Sequence, residues 1–411
     1  MRGKQSFVVG IFVVLISSCA SCSAKLSQSS NGFIYSIFNQ DNSIVDVEEE
    51  PEIKPRQQMG IPVVINTWGF DAGNANAWNM LNRGGSALDA VEVGATTCEV
   101  LQCDNTVGFG GSPDENGETT LDAMIMDGER HAVGAVGCLR RVKNAVGVAR
   151  KVLEHTSHTL LVGELATQFA LSMGFPEENL TTPDSLEMHD SWERNNCQPN
   201  FWRNVNPDPT QSCGPYTPKT MTKDQSKTMV QVPPRVIDQW NHDTIGIVAI
   251  DSLGRVASAT SSNGARNKIP GRVGDAPIVG AGSYVDKDIG GAAATGDGDI
   301  MVRFLPSLLA VEKMGMGLSP TEAAEEAIQK IARFYPTFSG ALVAVNLRGE
   351  YGAACHGIAT GFPYCVSPEA GSNGTIILHA NCTSTSTSPA NRVILPRVLL
   401  GWVFWVLIGC K

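Results

Sequence analysis

Apolar and polar positions repeat with two periods along this chain, and the changes of period predict its elements. Ile61-Pro62-Val63-Val64-Ile65-Asn66-Thr67-Trp68 is β-rich and leads into a helical stretch from Ala72 to Arg83, which Gly84-Gly85 closes. A second helix follows from Ser86 to Glu99. Gly108-Phe109-Gly110-Gly111-Ser112-Pro113 is a loop, because its glycines and proline disfavour regular structure. Thr120 to Asp127 alternates as a strand, Asp127-Gly128 supplies a turn, and Val142 to His155 reads as helix.

From Thr217 to Asn241 the pattern dissolves into Thr, Lys, Gln and Ser around Pro233-Pro234, the composition of a linker. Order returns at His242. Thr244 to Asp251 reads as a strand, Ser252-Leu253-Gly254 as a turn, and Arg255 to Thr260 as the hairpin partner. A linker thus delivers the chain to the first residue of a hairpin. Beyond it come a glycine-rich segment from Gly280 to Gly298, a long helix from Ile300 to Met314, another from Pro320 to Phe334, and a strand pair from Ala341 to Ala354. The pattern carries no internal repeat and predicts a mixed α/β fold.

Composition narrows the function. A chain of 411 residues can bury one large core or two smaller ones. A net charge of -10 without any Lys/Arg cluster argues against nucleic acid as a partner and favours small-molecule chemistry. Arg2, Lys4, the apolar run Phe7 to Ile16 and Cys22-Ser23-Ala24 have the layout of a secretory signal cleaved near Ala24; the run is short for a spanning helix. Residues 25–59, acidic at Asp46-Val47-Glu48-Glu49-Glu50, read as a flexible extension.

Export makes close cysteines disulfide candidates, naturally Cys98 with Cys103 and Cys197 with Cys213. Sequons at Asn179, Asn373 and Asn381 fit the same compartment. In segment 383–411, the Ser/Thr-rich Thr383 to Ser388 precedes an apolar run from Val398 to Cys410. This layout resembles a lipid-anchor attachment signal that would tie the protein to a membrane, although the spacer is short and Arg397 interrupts the apolar run. The alternative is a C-terminal extension that packs or frays.

The junction His242-Asp243-Thr244-Ile245-Gly246 carries the most chemistry. A threonine hydroxyl needs a base beside it to attack a carbonyl, and a free α-amine on the same residue is the most compact base available. Exposing that amine requires cutting the bond before Thr244. By composition alone, Asp-Thr ahead of an apolar strand is an ordinary loop-to-strand boundary, and Arg272 with Asp275 an ordinary surface ion pair.

Taken with Arg272-Val273-Gly274-Asp275-Ala276-Pro277 and Ala294-Thr295-Gly296-Asp297-Gly298-Asp299, however, the junction closely resembles the glycosylasparaginases of the N-terminal-nucleophile hydrolases. The resemblance runs from about Pro62 to Ala354. It implies a four-layer αββα sandwich, self-cleavage between Asp243 and Thr244 into an α chain (60–243) and a β chain (244–382), and an (αβ)2 assembly in a lysosome, a vacuole or outside the cell. It implies hydrolysis of the side-chain amide of a glycosylated asparagine, with an isoaspartyl peptidase or L-asparaginase as the alternative on the same fold.

By the same resemblance Thr244 is the nucleophile, and Ser262 stands where the family usually has a threonine bonded to it. Thr295 and Gly296 match the oxyanion hole. Arg272 matches the grip on the substrate α-carboxylate, Asp275 the partner of the α-ammonium, Gly298 a substrate-binding position and Trp68 an aromatic at the rim. The resemblance leaves Cys355 to pair with Cys382 or Cys365. No cofactor is implied: Gly108 to Gly111 lacks dinucleotide-loop spacing, His155 and His158 lack further zinc ligands, and Asp297 and Asp299 offer too few alternating oxygens for calcium.

Overall fold

The structure, a computed structural model, describes residues 60–220, 244–367 and 374–384, with the backbone of two strands nearer the N-terminus. The expected signal up to residue 22, the linker from 221 to Asp243, the sequon at Asn373 and the tail beyond 384 lie outside the described residues. The chain divides into two units, residues 1–57 and 58–411. In the first, β1 (Ser23–Ser29) and β2 (Gly32–Phe38) pair as an antiparallel hairpin, where the composition predicts no packed element. Phe33-Ile34-Tyr35 and Ile37-Phe38 supply the β-branched and aromatic residues that favour a strand there.

The second unit begins with β3 (Val63–Thr67), α1 (Asp71–Asn82) and α2 (Ala87–Leu101). Ser86 and Asp89 form a capping box that fixes where α2 starts, so the boundary read from Ser86 holds. After the glycine-rich loop come β4 (Leu121–Asp127), β5 (Ala132–Leu139) and α3 (Ala145–His155), whose start Asn144 caps by accepting from Gly147 N. Next are β6 (Leu160–Val162), α4 (Gly163–Ser172), α5 (Pro183–Arg194), β7 (Val205–Asn206) and β8 (Thr217–Pro218).

The expected hairpin is β9 (Ile245–Ile250) and β10 (Val256–Ser262). The glycine-rich segment contains β11 (Ser283–Asp286) and β12 (Gly290–Gly296). The single helix expected from Ile300 to Met314 is two, α6 (Gly298–Met301) and α7 (Pro306–Gly315). Pro306 opens α7 and Leu305 takes φ 51°, which breaks the continuous helix. Then follow α8 (Pro320–Phe334), β13 (Gly340–Asn346), β14 (Tyr351–His356), β15 (Phe362–Ser367) and β16 (Ile376–Ala380).

Eight strands form one sheet in the order β16-β15-β3-β9-β10-β4-β5-β6, and four form another, β11-β12-β13-β14. In β9, Ile245 and Ile247 abut Gly73 of α1 and Gly94 of α2. The intervening residues face the other way: a Cβ on Gly246 would lie 2.8 Å from Ala293 Cβ of β12, and one on Gly291 would lie 2.7 Å from Val248 Cγ1. Small residues on both sides therefore let the two sheets approach closely. Along β12 the alternation continues, with Ala293 in the core of the large sheet and Ala292 and Ala294 in a second core with α7 and α8.

Disulfides join Cys98 to Cys103, Cys197 to Cys213 and Cys355 to Cys382, which resolves the alternative left for Cys355; Cys138 and Cys365 are free and buried. No helix among the described residues is long and apolar enough to cross a membrane.

Candidate active site

Thr244 stands immediately before β9, fully buried, in the same alternation that turns Gly246 and Val248 toward the second sheet. Its backbone N-H donates to Thr295 Oγ1 at 3.1 Å, across the gap between the sheets. Its carbonyl accepts from Thr67 Oγ1 at 2.7 Å, and that hydroxyl accepts in turn from Gly246 N at 2.9 Å. Thr67 thus bridges both sides of Ile245 at the end of β3. The Thr244 hydroxyl itself is buried with no hydrogen-bond partner among the described residues. A polar atom left so in a native interior costs about 1–3 kcal/mol, which marks it as a group with something to do.

Trp68 takes φ 60°, a left-handed conformation that costs a bulky residue on the order of 1–3 kcal/mol. That turn aims its indole N-H at Thr295 Oγ1, 2.9 Å away, while the ring packs edge-on against Phe362. The Thr295 hydroxyl therefore accepts two N-H donors, which leaves its own proton free to donate elsewhere. Gly296 follows at φ 132°, where a Cβ would fall 2.4 Å from Gly340 Cα, so only glycine fits beside the hydroxyl.

Register links this group to a second one. Ser261 pairs with Ile245, so one step further Ser262 stands beside Thr244. Ser262 Oγ accepts from Gly264 N at 2.9 Å, and a Cβ on Gly264 would lie 3.1 Å from Arg272 Nη1. Arg272 is largely buried and donates from Nε to Asp299 Oδ1 at 3.1 Å, but Nη1 and Nη2 have no partner among the described residues. Asp275 is buried too, with Oδ2 unpartnered. Gly298 closes the group: a Cβ there would meet Asp275 Oδ1 at 2.4 Å and Arg272 Nη2 at 3.1 Å. Burial pushes the Asp275 carboxyl up to about 7 even though Arg272 pulls it down.

Every residue to which the resemblance gives a role in the site, Asp243 apart, thus falls in one of two linked groups: Thr244, Trp68, Thr295, Gly296 and Ser262, then Arg272, Asp275 and Gly298. His155 and His158 are exposed, as expected of surface histidines. Four further polar residues around the site belong to none of the sequence motifs. Thr67 is one. Asp122 accepts from Cys138 N and Gly274 N, both at 2.8 Å. Lys268, fully buried, donates to the carbonyls of Ser112 and Asn263 at 2.9 Å each, and burial pulls its ammonium down to about 8. Glu99, beneath β10, accepts from Ser261 Oγ at 2.6 Å and Val146 N at 3.0 Å, and burial pushes its carboxyl up to about 8. Of these, only Asp122 shows a signal in sequence, a carboxylate flanked by apolar residues near the start of β4.

Comparison of the sequence with known proteins identifies relatives of this chain. A family model described as Asparaginase matches residues 55–370. The rat N(4)-(beta-N-acetylglucosaminyl)-L-asparaginase is 56% identical over 300 residues, 73% of this chain and 86% of its own. The mouse protein of that name is 56% identical over 305 residues, 74% of this chain and 87% of its own. A Drosophila persimilis protein given the same name provisionally is 58% identical over 316 residues, 75% of this chain and 80% of its own. The chain belongs to the asparaginase family, in the branch of the glycosylasparaginases.

Proposed function

We propose that this chain is the precursor of an N-terminal-threonine amidohydrolase that cuts itself between Asp243 and Thr244 and then hydrolyses the side-chain amide of glycosylated asparagine, releasing aspartate and the amino sugar. The observation that carries the reading is the set of unsatisfied groups in one buried site: the Thr244 hydroxyl, two guanidinium nitrogens of Arg272 and one carboxylate oxygen of Asp275. A planar fork of two donors suits an α-carboxylate, and a lone carboxylate oxygen suits an α-ammonium. An amino acid held by both ends leaves its side-chain amide free to face Thr244.

Chemistry follows from the neighbours. With the α-amine of Thr244 released, it takes the proton of its own hydroxyl while Oγ1 attacks the amide carbon. The carbonyl oxygen gains charge, and the free proton of Thr295 and the backbone N-H of Gly296 stabilise it. The protonated amine then donates to the departing nitrogen, and water cleaves the threonyl ester to regenerate the hydroxyl. Self-cleavage uses the same hydroxyl on the carbonyl of Asp243, with transfer of the acyl group from nitrogen to oxygen before water enters.

The alternation of β9 and β12 between helices and facing sheet supports a four-layer αββα arrangement of the hydrolase domain. The three disulfides among the described residues and the exposed sequons at Asn179 and Asn381 support passage through an oxidising secretory route. We read the mature form as (αβ)2.

Mass spectrometry of the purified protein tests the first half: wild type yields a chain starting at Thr244, and Thr244→Ala stays whole. An uncut wild-type chain with full activity would refute it. The second half is tested by assaying GlcNAc-asparagine beside a β-aspartyl dipeptide and beside GlcNAc-asparagine blocked at the α-amine. Faster turnover of the dipeptide moves the assignment to isoaspartyl peptidase, and undiminished hydrolysis of the blocked compound removes the role of Asp275.

A further inference from the structure

The segment that carries Arg272 and Asp275 is a loop, and loops seldom hold a pair of ligating groups in place without support. Its support is visible. Between the rungs Leu121-Leu139 and Ala123-Val136, β5 has one residue more than β4, so Gly137 and Cys138 both stand opposite Asp122. Cys138 takes φ 50° at this bulge, and its N-H turns onto Asp122 Oδ1 at 2.8 Å. The other carboxylate oxygen, Oδ2, accepts at 2.8 Å from the N-H of Gly274, which lies between Arg272 and Asp275. Alongside, Val273 seats on Gly137, where a Cβ would lie 3.0 Å from its Cγ2. The bulge therefore docks the loop twice, by a charged hydrogen bond and by an apolar contact.

From this arrangement we propose that Asp122 is a positioning residue for substrate binding: seated in the β5 bulge, it fixes the loop that sets the spacing of Arg272 and Asp275. This rests on the reading that Arg272 and Asp275 hold the α-carboxylate and α-ammonium. Asp122 touches no substrate. It acts through Gly274, whose own Cβ would fall 2.8 Å from Arg272 Nη1, so a shift of this one peptide moves the guanidinium. On the opposite side β10 sets Ser262 against Asp122, which ties the same carboxylate-bearing strand to the neighbourhood of Thr244. One side chain therefore registers the binding loop against the strand beside the nucleophile.

The test is steady-state kinetics on GlcNAc-asparagine with self-cleaved enzyme that melts cooperatively. Asp122→Asn keeps the size but places an amide N-H₂ against one of two N-H donors, so KM should rise about 10- to 100-fold, the range for a lost bond to a charged group, with a much smaller fall in kcat. Combined with Arg272→Lys, it should raise KM by less than the product of the two single effects, since both act on one contact. Should Asp122→Asn not fold, Gly137→Ala tests the docking of the same loop in the bulge, because its methyl displaces Val273: KM should rise there as well, and an unchanged KM would overturn the proposal. KM unchanged in Asp122→Asn while Arg272→Lys raises it would overturn the proposal and leave the receptor standing. KM unchanged in both would remove the receptor and the proposal with it. Equal losses in kcat and kcat/KM that track a fall in melting temperature would mean an ordinary structural residue and also overturn it.

Discussion

At the scale of single residues, burial sets the protonation behaviour of the site. Asp275 must be ionised to hold an ammonium, yet burial lifts its carboxyl to about 7. KM should therefore rise as pH falls below about 7, because the protonated form loses the charge that binds. A bound ammonium favours the carboxylate, so kcat at saturation should fall only at lower pH. Profiles of both constants from pH 8 to pH 5 check this, and a flat KM would contradict it. Glu99 gives a stability prediction of definite sign. Its folded value near 8 exceeds the ordinary 4.5, so the stability of its neutral form is present below 4.5 and lost as pH rises through 8. Glu99→Gln keeps the acceptor for Ser261 and Val146 but does not titrate. Relative to wild type it should gain stability steadily between these limits, by up to about 5 kcal/mol at one pKa unit per 1.36 kcal/mol. Thermal melts at pH 5 and pH 9 measure the difference.

At the scale of elements, the end of β3 does more than pair. Thr67 replaces part of the ladder with its hydroxyl, gripping the carbonyl of Thr244 and the N-H of Gly246. Thr67→Val has nearly the same shape but leaves both groups unsatisfied, a cost of about 1–3 kcal/mol that falls on the placement of the nucleophile. Self-cleavage should slow by about 10- to 100-fold, and Thr67→Ser should restore most of it. Time courses of chain separation on a denaturing gel decide the matter. For α8, the Ser319-Glu322 capping box fixed the start that periodicity predicted, and Ser319→Ala should cost about 1 kcal/mol in chemical denaturation without changing activity. The helix expected from Ile300 to Met314 shows the limit of periodicity. The apolar period crosses Leu305 undisturbed, while the backbone at Leu305 and Pro306 does not continue.

Across the whole molecule, covalent links tie segments that the sheets leave loose. Cys355-Cys382 fastens β14 to the chain after β16, closing a separation of 27 residues. In the chain-entropy view a loop of that length is worth about 3–4 kcal/mol, and Cys197-Cys213, with a separation of 16, about 3 kcal/mol. Replacing Cys382 with serine should lower the denaturation midpoint accordingly and leave Cys365 unpaired, since Cys365 is buried in β15. Peptide mapping without reduction would detect any re-pairing. The family resemblance leaves Cys382 and Cys365 both open as partners of Cys355, and the fold decides between them: Cys365 is buried in β15, between β3 and β16, while Cys382 follows β16 and meets Cys355.

The sequence by itself determined whatever depends on neighbours along the chain. Helix starts at Ser86 and Ser319, the hairpin after Thr244, the short disulfide loops and the three motifs of the site are local patterns, and a local pattern needs no partner to be read. Tertiary structure decided what depends on strands meeting across the fold. The glycine-rich run from Gly280 to Gly298 resembles a loop until β9 approaches it, and then its small residues become the condition for two sheets to lie close. Thr67, Asp122 and Lys268 carry no motif, because their roles come from a carbonyl or an N-H many residues away. Trp68 is legible as an aromatic near the site, but its hydrogen bond to Thr295 exists only because a strained backbone turns it there. The kinds of chemical group follow from the order of residues, and their mutual placement follows from the packing of sheets that bring distant segments into contact.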